Sequence, residues 1–288
     1  MFFAVDAAIG GGISIADETA DGNLMVKPFK LALAQSPGEL AGPRARVDWL
    51  AATLSGIAKQ KADLLVLPEM FLSGYYIGDA VHDRAEAADG PFAREIAALA
   101  ERFGIAVLYG FAERADGLIY SAAQCFGPDG ARLGGHRKLA IPPGFETGTY
   151  SAGAGCRLFE LGGVKIAILI CYDSEFTEPM RHVAGLGAEL VAVPTALSAE
   201  WGWVARTMLP TRAYENGLFL AYANHAGHEN GLDYLGASFI AAPDGRELAR
   251  AGSGPEVLLA EIDPARVAAA RARLPYLKDR KGLKLDAG

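Results

Sequence analysis

Cysteine is scarce in this chain: three in 288 residues, Cys125, Cys156 and Cys171, set too far apart for a disulfide framework or a zinc site. Few cysteines suit a reducing compartment, and the expected location is the cytoplasm. A basic stripe is missing too. With a net charge of -7 the chain has nothing to offer a phosphate backbone, which argues against a nucleic-acid partner. Apolar runs fall far short of the roughly 20 residues that span a bilayer, so no membrane association is expected. The opening Met1-Phe2-Phe3-Ala4-Val5-Asp6 lacks the basic start of a secretory leader and soon meets Asp17, Glu18 and Asp21. Three familiar signatures are also absent: a Gly-x-Ser-x-Gly elbow, a Gly-x-Gly-x-x-Gly turn and a Gly-Lys-Ser/Thr loop. Their absence leaves serine-triad hydrolysis and nucleotide binding without support.

What is present is an ordinary globular composition, 51% apolar and 21% charged, in a chain long enough for a substantial core. Residues 1–27 read as an extension, with Met25 offering a later start, and residues 28–288 as one domain. Within it a short plan is used twice. In the first half, a strand at 30–35 is followed by a helix at 45–61, a strand at 62–69, a helix at 91–103, a strand at 105–111 and a hairpin turning at Gly127-Pro128-Asp129-Gly130. In the second half the order recurs: strand 165–171, helix 179–187, strand 188–195, helix 204–216, strand 218–224, then 234–242 running into Pro243-Asp244-Gly245. The expected architecture is α/β, a four-layer αββα sandwich built from two pseudo-repeated halves. The repeat sets Cys171 opposite Gln35 and Glu69 opposite Thr195, all four at strand ends on one rim.

Three residues in this frame could carry chemistry, and each has a plainer reading. Cys171 ends an apolar strand, where a cysteine also packs as a small hydrophobe. Glu69 follows Pro68 and precedes an aromatic loop with Tyr75 and Tyr76. Apolar walls raise a carboxyl pKa toward that of a general base, although a strand-end glutamate can equally face water. Lys138 lies in the connection between the halves, followed by Leu139, Ala140 and Ile141. There it could stabilise an oxyanion, or it could be a solvated lysine beside Arg137. Of the five histidines, His136, His182, His225 and His228 are candidate partners for a Cys-His pair, but none sits at a strand end like that of Glu69. Trp201, Trp203, Tyr75 and Tyr76 suit pocket walls and core or interface packing alike.

Taken together, the three residues resemble the catalytic Glu, Lys and Cys of the nitrilase superfamily of carbon-nitrogen hydrolases. The carriers are Leu67-Pro68-Glu69-Met70-Phe71 with Gly74-Tyr75, then Arg137-Lys138-Leu139 with Ile141-Pro142, then Ile170-Cys171-Tyr172-Asp173 with Phe176 and Pro179. The resemblance covers about residues 28–280. It implies that Glu69 is the base, that Cys171 is the nucleophile forming a thioester, and that Lys138 and the backbone N–H of Tyr172 hold the oxyanion. Glu146 is similar to a second family glutamate that orients Lys138 and the substrate, and Tyr75 and Thr195 are expected near the substrate. Neither metal nor organic cofactor is implied. The tail at 274–280 looks like a family segment that commonly reaches across a dimer partner, so a homodimer or larger homo-oligomer is expected.

Nitrilases usually carry Trp-Glu after the cysteine, whereas this chain has Tyr172-Asp173. Carbamoyl hydrolases and ω-amidases typically offer an arginine shortly afterwards; here Ser174 and Glu175 stand there. The run Cys171–Phe176 looks most like the amidase branch acting on simple or amino-substituted carboxamides, with Glu175 suited to a substrate amine. Nitrile or carbamoyl hydrolysis is the alternative chemistry. A catalytically silent binding protein of the same fold is the non-enzyme alternative.

Overall fold

The structure is a computed structural model, described over residues 28–284; the expected extension and Met25 lie outside the described residues. Strand β1 (Phe29–Gln35) is followed by helix α1 (Pro43–Ile57) and by β2 (Leu64–Val66), which lies parallel to β1. A short helix α2 (Ala80–Arg84) precedes α3 (Pro91–Phe103), whose proline occupies its first turn, where a missing N–H costs nothing. The left-handed Gly104 ends α3 and leads into β3 (Ala106–Ala115), parallel to β2. Strands β4 (Leu118–Phe126) and β5 (Arg132–Arg137) then add in antiparallel fashion.

The second half opens with β6 (Leu158–Leu161), turned onto β7 (Val164–Ile168), then α4 (Thr177–Gly185) and β8 (Leu190–Pro194). Helix α5 (Leu209–Asn216) leads to β9 (Phe219–Ala223). A two-residue ladder of β10 (His228–Glu229) and β11 (Leu232–Asp233) precedes the hairpin of β12 (Phe239–Ala241) and β13 (Glu247–Arg250). Strand β14 (Glu256–Ile262), α6 (Pro264–Arg273) and α7 (Tyr276–Asp279) follow. No helix among the described residues is long and apolar enough to cross a membrane.

Two six-stranded sheets result, in the orders β14-β1-β2-β3-β4-β5 and β13-β12-β9-β8-β7-β6. Strand alternation sorts the side chains into layers. Leu31 and Leu33 of β1, with Ile166 and Ile168 of β7, enter the core shared by the two sheets. Ala32 and Ala34 face the α1 and α3 side with Leu50, Leu54 and Ile96, while Ala167 and Leu169 join Met180, Val183 and Leu209 on the opposite side. The expected order of helix, sheet, sheet, helix is therefore observed.

The register corrects one alignment. Leu31 pairs with Leu64, and Ile166 with Leu190. Matching Leu64 to Leu190 keeps Glu69 opposite Thr195, but it sets Cys171 opposite Ser36 rather than Gln35. A slip of one residue would turn every β7 side chain to the wrong face.

Other differences are local. The ladder of β7 stops at Ile168, three residues before the cysteine, and β2 stops at Val66, because beyond those points the chains bend away to form the rim. Helix α4 starts two residues before the expected 179. The helix expected at 204–216 begins with π-type turns over Val204–Met208, where Leu209 N–H reaches back to Val204 O. Pro210 has no N–H to continue the ordinary pattern there. Of the stretch 234–242, only Phe239–Ala241 is strand. Strand β14 and helix α6 have no counterpart in the order expected from the sequence; β14 pairs antiparallel with β1 and so ties the end of the second half to the first sheet.

Candidate active site

Glu69 owes its position to the way β2 ends. Leu67 N–H still bonds Leu108 O, at 2.8 Å, but Pro68 has no donor to extend the ladder. Met70 then turns with φ 52°. Gly110 of β3 makes room for this turn: a Cβ there would come within 2.5 Å of Met70 N and 2.7 Å of Glu69 Cα. Glu69 is fully buried; its Oε1 accepts from Lys138 Nζ at 2.9 Å and from Ser121 Oγ at 3.1 Å. Its Oε2 has no hydrogen-bond partner. Burial raises its pKa to about 7, with the Lys138 charge pulling downward and the Glu146 carboxylate pushing upward.

Lys138 follows directly on β5 and is equally buried. Its N–H bonds Ser121 O at 2.8 Å and its carbonyl accepts from Gly153 at 2.7 Å, so both its backbone groups are held. Its ammonium bridges Glu69 and both oxygens of Glu146, the latter at 2.9 and 2.8 Å. Burial disfavours that charge, but Glu69, Cys171 and Glu146 together outweigh it and raise the pKa above the usual lysine value. Tyr75 donates its hydroxyl to Glu146 Oε1 at 2.7 Å, so Glu146 is held from both sides. The plainer readings of Glu69 and Lys138 as solvated surface groups are thereby ruled out.

Cys171 opens a 3-10 turn, Cys171–Glu175, with φ 45°, a left-handed backbone that non-glycine residues seldom adopt. Asp173 holds the bend. Its Oδ2 accepts from Ile170 N–H at 3.1 Å, and Ser174 Oγ donates to Cys171 O at 2.6 Å. Burial pushes the thiol pKa well above its usual value, and the Glu69 carboxylate adds to this; Lys138 and a hydrogen bond with Thr195 work in the opposite direction. Burial and the Glu69 charge both favour the protonated thiol, which needs a base to become a nucleophile.

No histidine among the described residues hydrogen-bonds that thiol. His136 Nε2 lies 2.9 Å from Asp173 Oδ2, and His228 pairs with Asp233 at the surface. His182 is an exposed residue of α4. His225 is buried between Ser36 Oγ, at 3.1 Å, and Glu69 O, at 2.7 Å. Burial, with help from Arg46, lowers its pKa to about 4 and keeps it neutral. It therefore braces the Glu69 backbone.

The partners of several supporting residues had no signal in the sequence. Asp173 Oδ1 accepts from Leu139 and Ala140 N–H, both at 2.9 Å, tying the cysteine turn to the lysine segment. Glu229 pairs with the buried Arg46 at 2.8 Å and accepts from Tyr75 N–H, Tyr76 N–H and the Tyr234 hydroxyl. This carboxylate from the β10–β11 ladder holds the aromatic loop that presents Tyr75. Such partners are distant in sequence and leave no local spacing to detect.

A cavity of about 570 Å³ opens onto Cys171, with Glu146, Tyr75, Tyr172 and Glu175 in its wall. Tyr76 and Trp201 line it; Trp203, 63% exposed, does not. Thr195 stands behind, bonded to the Tyr222 hydroxyl at 3.1 Å. The buried cluster of Glu69, Lys138 and Glu146 thus lies behind a cavity that Cys171 lines, within an αββα frame.

Comparison with known proteins agrees. The Carbon-nitrogen hydrolase family model matches residues 30–272, and the chain belongs to that family, in the amidase-like branch of the nitrilase superfamily. It is 44% identical over 262 residues to a Pseudomonas protegens protein described as "Hydrolase in pqqF 5'region", covering 89% of this chain and 90% of that one. It is 36% identical over 235 residues to an (R)-stereoselective amidase from a Pseudomonas species, covering 81% and 85%. An amidase from Nesterenkonia sp. AN1 superposes with a TM-score of 0.79 at 29% identity, covering 88% of this chain and 94% of that one. That structure carries the acetamide moiety of fluoroacetamide added covalently at its active-site cysteine. The chain is an amide-hydrolysing enzyme.

Proposed function

We propose that this enzyme hydrolyses small primary carboxamides to a carboxylic acid and ammonia, with Glu69, Lys138 and Cys171 as its catalytic residues. The observation that carries this reading is the buried Lys138 ammonium held between the Glu69 and Glu146 carboxylates, next to a cavity lined by the Cys171 thiol. Glu69 takes the thiol proton, and the Cys171 sulfur attacks the amide carbon. The resulting oxyanion is held by the Lys138 ammonium and the backbone N–H of Tyr172. Glu69 passes its proton to the nitrogen as the C–N bond breaks, so ammonia leaves and a thioester remains. A water, giving its proton to Glu69, then cleaves the thioester and frees the acid, returning the proton to sulfur. Glu146 and Tyr75 keep Lys138 in place, and Thr195 supports the sulfur. Sustained charge on Lys138 suits an oxyanion partner, while its firm pairing makes it a poor proton carrier.

The test is ammonia release from a panel of amides, nitriles and carbamoyl compounds. Release is expected from small amides and is expected to vanish in Cys171→Ala. Amide turnover that survives in that variant would overturn the assignment.

A further inference from the structure

The walls of the catalytic cavity are unbalanced in charge. Among the described residues three carboxylates line it, Glu146, Glu175 and Glu200, and no arginine, lysine or histidine does. Glu146 is neutralised from below by Lys138. The other two are not: among the described residues no cation forms an ion pair with Glu175 or Glu200. The Arg212 guanidinium donates instead to the backbone carbonyl of Glu175 at 2.7 Å and pairs with Glu215 at 3.0 Å. The Glu200 carboxylate has one distant contact, a 3.4 Å bond from Ser198 Oγ. Burial raises the pKa of Glu175, while the charges of Lys138 and Arg212 act in the opposite direction without pairing with it.

Aromatic rings fill the rest of the wall. Phe145 stands edge-on to Tyr75 and Tyr76, each at 5.0 Å, while Tyr172 and Trp201 complete the surface. Electron-rich ring faces and acceptor-only carboxylates both attract an ammonium group. The same surroundings repel a carboxylate, which would meet unpaired negative charge and no donor of opposite sign.

Resting on the amidase reading above, we propose that Glu175 and Glu200, with Trp201, form a subsite for a protonated amine on the acyl chain, so that the preferred substrates are amino-substituted carboxamides and ω-carboxyl amides are rejected. Since ammonia is the leaving group, the amine must sit on the acyl side.

The experiment compares three amides of matched length at pH 7.5: 4-aminobutanamide, pentanamide and glutaramate, which end in ammonium, methyl and carboxylate. The expected order of kcat/KM is cationic, neutral, anionic, with roughly tenfold or more between the first two. The ratio of cationic to neutral is expected to shrink in Glu175→Gln and in Glu200→Gln, and to approach one in the double variant. Ammonia from pentanamide with no preference for the cationic amide overturns the subsite and leaves the amidase reading standing. An unchanged ratio in the double variant does the same. No ammonia from any of the three overturns both.

Discussion

In the first half the chain leaves β1 through Ser36 and β2 through Glu69; in the second it leaves β7 through Cys171 and β8 through Thr195. The backbone positions correspond, yet the proposed chemistry is divided between them: the first half would supply the carboxylate, the second the thiol. The two leftover positions became support. Ser36 bonds His225, which in turn holds the Glu69 backbone, and Thr195 bonds the Tyr222 hydroxyl behind the cysteine. Duplication placed four residues on one rim, and side-chain identity decided which two are fit to react. Lys138, in the joint between the halves, has no counterpart in this scheme.

Exchanging the two roles is the severest way to break the comparison. Cys171→Ser combined with Ser36→Cys restores a thiol to the rim, but on the pseudo-symmetric side, where Thr195 stands in place of a carboxylate. Activity is expected to fall by about 10⁴-fold or more, as when a nucleophile is removed. Recovery of turnover through the transplanted thiol would show that the halves are interchangeable after all, as measured by ammonia release.

Glu69→Gln tests the other side of the division, with an expected loss of about 10² to 10⁴ in kcat/KM. The pH profile of the unaltered enzyme reports the same group. The base is the carboxylate, so kcat/KM should decline as pH falls through about 7, where Glu69 takes up a proton. A flat profile between about pH 5 and 8 contradicts this role.

A smaller effect is expected at Glu229, which joins the halves through Arg46. Glu229→Gln leaves the buried guanidinium without its counter-charge, at a cost of about 3 to 5 kcal/mol. The melting temperature should drop, and kcat/KM should drop with it because Tyr75 and hence Glu146 lose their anchor. An unchanged melting temperature argues that the pair is not needed. Thr195→Val removes one hydrogen bond, about 1 kcal/mol, so less than a tenfold loss in kcat/KM is expected. A loss as deep as that of Glu69→Gln would place Thr195 in the chemistry itself.

Much of the frame was legible in the chain because period-2 alternation and turn residues are local. The strand at β1, the helix starting at Pro91 and the hairpin turn at 127–130 follow from spacing alone. Glu69, Lys138 and Cys171 stood out because each interrupts an apolar run or a connection in a recognisable motif. Strand β14 was harder to see. Its run Val257-Leu258-Leu259-Ala260 shows no clean alternation, and only pairing with β1 sorts Leu258 and Ile262 inward. Asp173 gave no warning of its partners at Ile170, Leu139, Ala140 and His136, since three of the four lie more than 30 residues away.

The sequence by itself determined the repeated order of elements, their sorting into two halves and the three candidate catalytic side chains, since these depend on local pattern and residue chemistry. Tertiary structure alone decided the one-residue register that sets Cys171 opposite Ser36, the left-handed turn that exposes the sulfur to the cavity, and the poise of Glu69. A pKa depends on what surrounds a carboxyl group. Burial against Lys138 and Glu146 brings together residues from separate parts of the chain, and only folding does that.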